Sequence, residues 1–233
     1  MQRSAIALRT TLKPSRIPEA ARLDGQVAVV MGGGRGIGRA AAVRMAEAGA
    51  SVVVTARTES EIEETAARIR SRGGAVRAVP ADVSEWRAVL SLAEQTEQAF
   101  GPADIVLVNA GVIEPIGPAW ELDAENWAAN LNINLTGAFY AVRAFLPSMV
   151  RRDTGVLLFT SSGAASHPVV GWSAYCAAKA GLEHLVRTLL AEFERNSLSI
   201  RAHAFYPGVV DTRMQRQIRQ KSKEEFAEVD RFR

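Results

Sequence analysis

The residues with the clearest chemical potential are Tyr175 and Lys179, four positions apart in the run GWSAYCAAKAG (171–181). On a helix, residues i and i+4 share one face, so the phenol and the ammonium would be neighbours. A tyrosine with its ordinary pKa of about 10 is a poor base at neutral pH, but a nearby ammonium stabilises the phenolate and lowers that pKa. The pair is therefore suited to exchanging a proton with a carbonyl or alcohol oxygen. Taken alone, such a pair also fits an ordinary amphipathic helix.

A serine pair gives the tyrosine and lysine more weight. Ser161 and Ser162 follow a short apolar run, and Ser162 could donate a hydrogen bond to the same substrate oxygen as Tyr175. A hydrolase that uses Ser162 with Lys179 is an alternative. No nucleophile-elbow glycine pattern surrounds the serine, and no acid and histidine pair follows it, which disfavours that alternative.

Six apolar, strand-like runs alternate with helical patterns and must position these side chains. The runs span residues 26–31, 51–56, 75–81, 103–111, 155–162 and 198–208, with long helical stretches near 124–152 and 173–195. Strands this apolar are typical of parallel sheets covered by helices on both faces. The alternation predicts an α/β fold with a doubly wound parallel sheet in three layers and a single domain, in which ligands bind beyond the carboxyl ends of the strands.

The first of those strand ends carries a glycine-rich turn, MGGGRGIGRA (31–40). Gly32, Gly36 and Gly38 would let the backbone approach a pyrophosphate at a helix N-terminus, which is the Rossmann-type arrangement. The turn lacks the Lys-Ser/Thr of a P-loop, which disfavours an ATPase or kinase. A tight turn without any ligand is the alternative.

The end of the second run favours NADP(H) over NAD(H). NAD sites usually place an acid about 20 residues after the glycines, whereas Ala56 and Arg57 stand here. Arg57, with Arg35 from the glycine turn, suits a 2′-phosphate, although both could be solvated surface charges. Asp82 is placed to accept from an adenine amino group or to cap the next helix. At the fourth strand end, Asn109, Ala110 and Gly111 would bring backbone close to the cofactor ribose. A bound nicotinamide would supply hydride while Tyr175 supplies the proton.

From about Gly25 to Thr212 the chain resembles the short-chain dehydrogenase/reductase family. The resemblance rests on GGGRGIG, DV (82–83), NAG (109–111), NINLTGAF around Asn134, SS (161–162), YCAAK (175–179) and PGVVDT (207–212), in that order. It implies a catalytic tetrad of Asn134, Ser162, Tyr175 and Lys179. Tyr175 would be the general acid/base, Ser162 would polarise the substrate oxygen, Lys179 would also bind the ribose, and Asn134 would hold a water that relays protons to Lys179.

The resemblance also implies a set of cofactor-binding positions, which includes two members of the tetrad. They are Gly32, Gly34, Arg35, Gly36, Ile37, Gly38, Arg57, Asp82, Val83, Asn109, Ala110, Gly111, Tyr175, Lys179, Pro207, Gly208, Val210 and Thr212. The segment PGVVDTRMQRQIRQ further resembles the sepiapterin/benzil reductase branch, whose members reduce dicarbonyl or aromatic ketones with NADPH. Apolar residues near the site, among them Ile113, Val169 and Met214, indicate a hydrophobic carbonyl substrate.

Three residues depart from the family pattern. Met31 stands where a threonine usually opens the glycine motif, Val108 where the first asparagine of NNAG is usual, and His203 where an asparagine is common. The first two changes remove polar groups that usually tie the central strands together. Family members also continue into a seventh strand, which the sequence to Arg233 does not include, so we expect a fragment or a missing tail rather than a natural short form.

Composition limits the remaining classes. The formal net charge of +3 is spread along the chain, which disfavours a nucleic-acid partner, and no apolar run is long enough to span a membrane. The single cysteine, Cys176, excludes an intrachain disulfide and a multi-cysteine metal site, and it fits a cytoplasmic location. Residues 1–24 are expected to form a flexible leader, with a transit peptide as the alternative, and residues 25–233 the enzyme domain.

Two further expectations concern the oligomeric state and the main rival function. The resemblance implies a homodimer or homotetramer that assembles through the long helices near 124–152 and 173–195. The main rival function is a dinucleotide-binding regulator without turnover, which would keep the glycines but would not need the tetrad.

Overall fold

The structure is a computed structural model that describes residues 18–226 and 228–233, so most of the expected leader, residues 1–17, lies outside the described residues. Six parallel strands form one sheet in the order β3-β2-β1-β4-β5-β6. They are β1 Val27–Met31, β2 Ser51–Thr55, β3 Val76–Ala78, β4 Ile105–Val108, β5 Val156–Thr160 and β6 Arg201–Phe205. Each lies within one of the six predicted runs, so the predicted α/β fold with its doubly wound sheet is confirmed.

In the part of the chain that the structure describes, seven α-helices connect and follow the strands. They are α1 Gly36–Glu47, α2 Glu59–Arg70, α3 Trp86–Phe100, α4 Ala124–Leu131, α5 Gly137–Arg152, α6 Ser173–Arg195 and α7 Arg213–Arg219. Short 3₁₀ segments lie at Glu19–Ala21, Gly163–Ala165 and Val229–Arg231. Among the described residues, no helix is long and apolar enough to cross a membrane.

Alternation along β1 shows why the sheet is covered on both sides. Val29 and Met31 pack with apolar residues of α3, α5 and α6, whereas Ala28 and Val30 pack with apolar residues of α1 and α2. Successive side chains of a strand point to opposite faces, so a continuous apolar run supplies two cores at once. The three layers are therefore helices, sheet and helices.

The family departures at Met31 and Val108 are absorbed into the core. Met31 is fully buried and Val108 nearly so, both on the α3, α5 and α6 face. The register partner of Met31 on β2 is Thr55, whose buried Oγ1 has no hydrogen-bond partner among the described residues. A buried hydroxyl without a bond costs about 1–3 kcal/mol.

The helical stretch predicted near 124–152 is confirmed, and it contains one irregular segment. Between α4 and α5 the chain makes a π-helical segment, Asn132–Thr136, in which one extra residue widens the turn. Polar side chains in this stretch bond to a neighbouring loop. One of them is Asn134, which belongs to the site described below.

Strand β5 leads directly into Ser161 and Ser162. A substitution in its buried part therefore tests how far the core supports the site. Phe159 is fully buried in that strand. We expect Phe159→Ala to lower the free energy of unfolding by about 3–5 kcal/mol, because the cavity it leaves cannot collapse against a sheet. Urea unfolding followed by circular dichroism measures this loss.

Phe159→Leu is the matched control, since it keeps most of the volume and should cost less than about 1.5 kcal/mol. Equal losses in the two variants would contradict the cavity argument.

Candidate active site

One large cavity of about 1050 Å³ lies beyond the carboxyl ends of the strands. Its lining contains seventeen of the eighteen predicted cofactor-binding positions. They are Gly32, Gly34, Arg35, Gly36, Ile37, Arg57, Asp82, Val83, Asn109, Ala110, Gly111, Tyr175, Lys179, Pro207, Gly208, Val210 and Thr212.

 Of the eighteen predicted positions, Gly38 alone lies outside the lining, and Ser162 of the predicted tetrad lines the same cavity.

Gly38 does not line the cavity but packs behind its wall. A Cβ built on Gly38 would lie 2.1 Å from the Gly32 carbonyl oxygen and 2.7 Å from Asn109 Nδ2. The Asn109 amide itself donates to the Gly32 carbonyl at 3.2 Å, and its Oδ1 accepts from Thr160 Oγ1 at 3.1 Å. Gly38 thus allows the start of α1 to pack onto the glycine turn, while Asn109 ties that turn to β5.

Tyr175 lies on the face of α6 that meets the end of β5. The side chain is buried, and the Ser162 hydroxyl lies beside its phenol. Burial raises the pKa of Tyr175, and the neighbouring Ser162 hydroxyl, which stabilises the phenolate, opposes that rise without cancelling it. The sequence-based expectation of a lowered tyrosine pKa is wrong for these residues by themselves, because desolvation of the phenolate outweighs the help from its neighbours.

Lys179 is buried one helical turn further along α6. Its Nζ donates to the Thr160 carbonyl oxygen at 2.8 Å and lies 5.6 Å from the centroid of the Tyr175 ring. Burial lowers the pKa of Lys179 to about 8, because the ammonium loses its hydration. At neutral pH most molecules therefore still carry the ammonium beside the tyrosine ring.

Asn134 does not line the cavity but lies directly behind it, in the π-helical segment. Its Nδ2 donates to the Val112 carbonyl at 2.9 Å and to Asn130 Oδ1 at 2.9 Å, and its Oδ1 accepts from the Val112 amide at 3.2 Å. A Cβ built on Gly111 would lie 2.7 Å from Asn134 Oδ1 and 3.8 Å from Lys179 Nζ. The asparagine and the lysine therefore flank the same small space beside Gly111.

Two arginines line the opposite end of the cavity, each beside a carboxylate. Arg35 pairs with Glu61 at 2.9 Å, and Arg57 lies 3.7 Å from Asp82. Asp82 Oδ1 accepts from the amide and hydroxyl of Ser84, at 2.9 and 2.7 Å. Helix α3 has Glu85 at its N-cap, so Asp82 closes a turn and does not cap that helix.

Aromatic residues close the cavity near Tyr175. Trp172 is buried, stacks on Phe226 at a centroid distance of 5.2 Å and meets the Tyr175 ring edge-on at 5.7 Å. Phe232 packs on Trp172 at 5.0 Å and also lines the cavity. Trp172 therefore both lines the cavity and packs against aromatic neighbours at the start of α6.

Sequence reasoning missed several side chains that the fold brings to this region. Phe226 and Phe232 follow α7, and no spacing rule relates them to Trp172. Glu183, in contrast, stands four residues after Lys179 and eight after Tyr175, so helical spacing could have placed it on the same face. Within residues 18–226 and 228–233, no group of histidine, cysteine and carboxylate side chains could hold a metal ion.

The burial of the Lys179 ammonium predicts how the free energy of unfolding changes with pH. The pKa of Lys179 falls from 10.5 to about 8 on folding, so the unfolded chain holds more protons between those pH values. The burial penalty is therefore complete below pH 8 and is relieved as the pH rises towards 10.5. We expect the free energy of unfolding of Lys179→Met to exceed that of the wild type by about 2 kcal/mol at pH 7, a figure that already subtracts the lost bond to Thr160. At pH 9.5 the difference between variant and wild type should be smaller.

Urea unfolding at the two pH values measures that difference. Lys223→Met is the control, because Lys223 is exposed and should show no such change with pH. A gain for Lys179→Met that stays constant between pH 7 and 9.5 would contradict the assignment of the penalty to the charge.

Comparisons with known proteins agree with this geometry. The family model described as short chain dehydrogenase matches residues 26–223. A galactitol 2-dehydrogenase of Rhizobium johnstonii is 36% identical over 195 residues, which cover 83% of this chain and 75% of that protein. A metagenomic short-chain oxidoreductase solved in complex with NADP is similar in structure, with a TM-score of 0.76, 34% identity and coverage of 80% of this chain and 83% of that one.

A second solved structure is a short-chain dehydrogenase/reductase from Burkholderia phymatum in complex with NAD. It has a TM-score of 0.83 and 28% identity, and the match covers 90% of this chain and 78% of that one. The matched family model, the curated relative and the sheet with its site together show that the chain belongs to the short-chain dehydrogenase/reductase family of oxidoreductases.

Proposed function

We propose that the protein is an NADP(H)-dependent oxidoreductase that transfers a hydride between the nicotinamide and a carbonyl or secondary alcohol. The observation that carries this proposal is one cavity with Ser162, Tyr175 and Lys179 at one end and the glycine turn at the other. Relatives solved with NADP and with NAD support a nicotinamide dinucleotide as the cofactor.

The described residues fit such a cofactor. The glycine turn presents the N-terminus of α1 to the cavity, which is a site that favours a pyrophosphate. Gly38 allows no side chain between that helix and the turn, so the backbone itself would hold the phosphates. Lys179 and Asn109 would hold the ribose next to the nicotinamide, and Pro207 to Thr212 would lie against the ring.

The mechanism follows from the positions of the polar groups. A bound nicotinamide would supply the hydride in reduction and accept it in oxidation. Tyr175 would give its phenol proton to the carbonyl oxygen, and Ser162 would hold that oxygen with a hydrogen bond. Because burial raises the pKa of Tyr175, the phenol is protonated at neutral pH and can act as the acid in the reduction. The ammonium of Lys179 then stabilises the phenolate that remains until a proton returns.

The preference for NADP(H) rests on the two arginines. Arg35 and Arg57 both line the cavity, and no acid stands at Ala56, where it would repel a 2′-phosphate. The neighbouring carboxylates, Glu61 and Asp82, hold the arginines in place near the cavity. Because both pairs are partly exposed, they are weak enough for a phosphate dianion to compete with them.

The substrate is proposed to be a hydrophobic carbonyl compound. Trp172, Phe226 and Ile113 form a buried apolar cluster that includes Tyr175, and the cavity continues into it. Flat aromatic walls favour flat or cyclic substrates. The narrower resemblance to sepiapterin and benzil reductases is consistent with this wall and stays a prediction.

We further propose a homodimer or homotetramer. Helices α5 and α6 expose Phe139, Val150 and Leu190 to solvent, so their outer faces offer apolar surface to a second copy. A cytoplasmic location, predicted from the single cysteine, also stays a prediction.

Replacing Tyr175 tests the proton donor. We expect Tyr175→Phe to lower kcat by about 10²–10⁴-fold because the general acid is lost, while NADPH still binds. Oxidation of NADPH, followed at 340 nm with a panel of ketones and diketones, and NADPH binding by fluorescence provide the two measurements.

Tyr140→Phe is the control for this change, since Tyr140 packs on Trp86 away from the cavity. Undiminished turnover in Tyr175→Phe would exclude the mechanism. Binding of NADPH by the wild type without turnover of any ketone would favour the non-catalytic regulator.

Replacing Arg57 tests the choice of cofactor. We expect Arg57→Asp to weaken NADPH binding by about 10–100-fold, because it removes a charged hydrogen bond to the phosphate and adds repulsion, and to strengthen NADH binding relative to it. Arg143→Asp, at an exposed position of α5, makes the same charge change elsewhere. Equal use of NADPH and NADH by the wild type would contradict the assignment.

A further inference from the structure

We infer that Glu183 is a positioning residue, whose carboxylate ties the segment Pro207–Thr212 to the catalytic helix and strand through Tyr206 and Ser161. This inference rests on the proposed function, because that segment is the one proposed to hold the nicotinamide. Three polar contacts between α6 and the end of β5 support it.

Three consecutive residues at the end of β5 each meet a side chain from a different turn of α6. Lys179 Nζ donates to the Thr160 carbonyl, Ser161 Oγ donates to Glu183 Oε1 at 2.6 Å, and the Ser162 hydroxyl lies beside the Tyr175 phenol. The partners on α6 are spaced by four residues, so they lie on one face of the helix. Glu183 is thus the third member of a row whose other two members belong to the catalytic machinery.

Glu183 also reaches the segment after β6. The Tyr206 hydroxyl donates to the same oxygen, Glu183 Oε1, and the Ser161 amide donates to the Phe205 carbonyl at 2.9 Å. Tyr206 directly precedes Pro207, where the chain leaves the sheet and enters the cavity wall. One carboxylate oxygen therefore joins three elements at the point where the proposed nicotinamide-binding segment begins.

The burial of this carboxylate argues that it has a specific role. Glu183 and Ser161 are 8% and 2% exposed, and the charge partner Arg187 lies 3.8 Å from the other carboxylate oxygen, at the surface. A buried carboxylate is costly unless hydrogen bonds satisfy it, and an apolar residue would pack at the same position without that cost. A bond to a charged acceptor is, however, stronger and more directional than a neutral one. Such a bond suits a residue that must hold a loop in one place.

The test uses Tyr206→Phe and Glu183→Gln in the full chain. Each variant should weaken NADPH binding, measured by fluorescence, by about ten-fold, because the segment loses its bond to a charged acceptor. We expect the KM for NADPH to rise by a similar factor while kcat changes little, since Tyr175, Ser162 and Lys179 stay in place. Hydrogen exchange of residues 207–212, followed by mass spectrometry without any cofactor, should become faster in both variants.

A double variant separates positioning from general destabilisation. If Glu183 acts through Tyr206, the Glu183→Gln/Tyr206→Phe double variant should bind NADPH no more weakly than the weaker single variant. Additive losses, or a lowered Tm with unchanged NADPH affinity and unchanged exchange of 207–212, would overturn the inference. Tyr140→Phe again provides the matched loss of a phenol hydroxyl and should change neither affinity nor exchange.

Failure of the inference and failure of the proposed function give different results. If the wild type does not bind NADPH, the proposed cofactor is wrong, while faster exchange of 207–212 in Tyr206→Phe still supports the positioning role. If the wild type binds NADPH and Tyr206→Phe binds it equally well, the positioning role is wrong and the proposed function stands. Should Glu183→Gln fail to fold, Tyr206→Phe and Ser161→Ala carry the same test.

Discussion

The arrangement of the site depends on the burial of the Lys179 ammonium against the end of β5. A buried charge must find a strong acceptor, and the Thr160 carbonyl provides it at 2.8 Å. That carbonyl is free to accept because it lies where the strand ends. The requirement fixes the height of α6 above the sheet, and this height in turn brings Tyr175 to Ser162.

A second set of polar contacts accompanies the irregular backbone behind the cavity. The amide of Asn134 bonds to Asn130 and to both polar backbone groups of Val112, so it anchors the loop after β4. A regular helix would have carried the later side chains around by a different angle, whereas the π-helical turn keeps Asn134 facing the loop beside Lys179. The departure from ideal helix geometry therefore occurs where the polar groups require it.

The sequence was sufficient for the sheet and for most of the cavity lining, because both depend on local patterns. The residues that end the apolar runs of β1 and β2 stand at strand ends. That position already implies that they lie along the same edge of the sheet. Phe226 and Tyr206 show what the sequence could not supply. Phe226 stacks on Trp172 only because the chain after α7 folds back over the cavity, and the bond from Tyr206 to Glu183 joins residues 23 positions apart on different elements. Such contacts depend on tertiary packing, which no periodicity encodes.

The direction of the tyrosine pKa illustrates the same limit in terms of energy. Spacing alone places an ammonium near the phenol and predicts a lower pKa, since opposite charges attract. The spacing in the sequence does not tell how deeply the pair is buried. Burial disfavours the charged forms of both side chains, so it raises the pKa of Tyr175 and lowers that of Lys179. Burial therefore favours a neutral phenol at rest, and in the proposed mechanism this phenol is the group that gives a proton to the substrate oxygen.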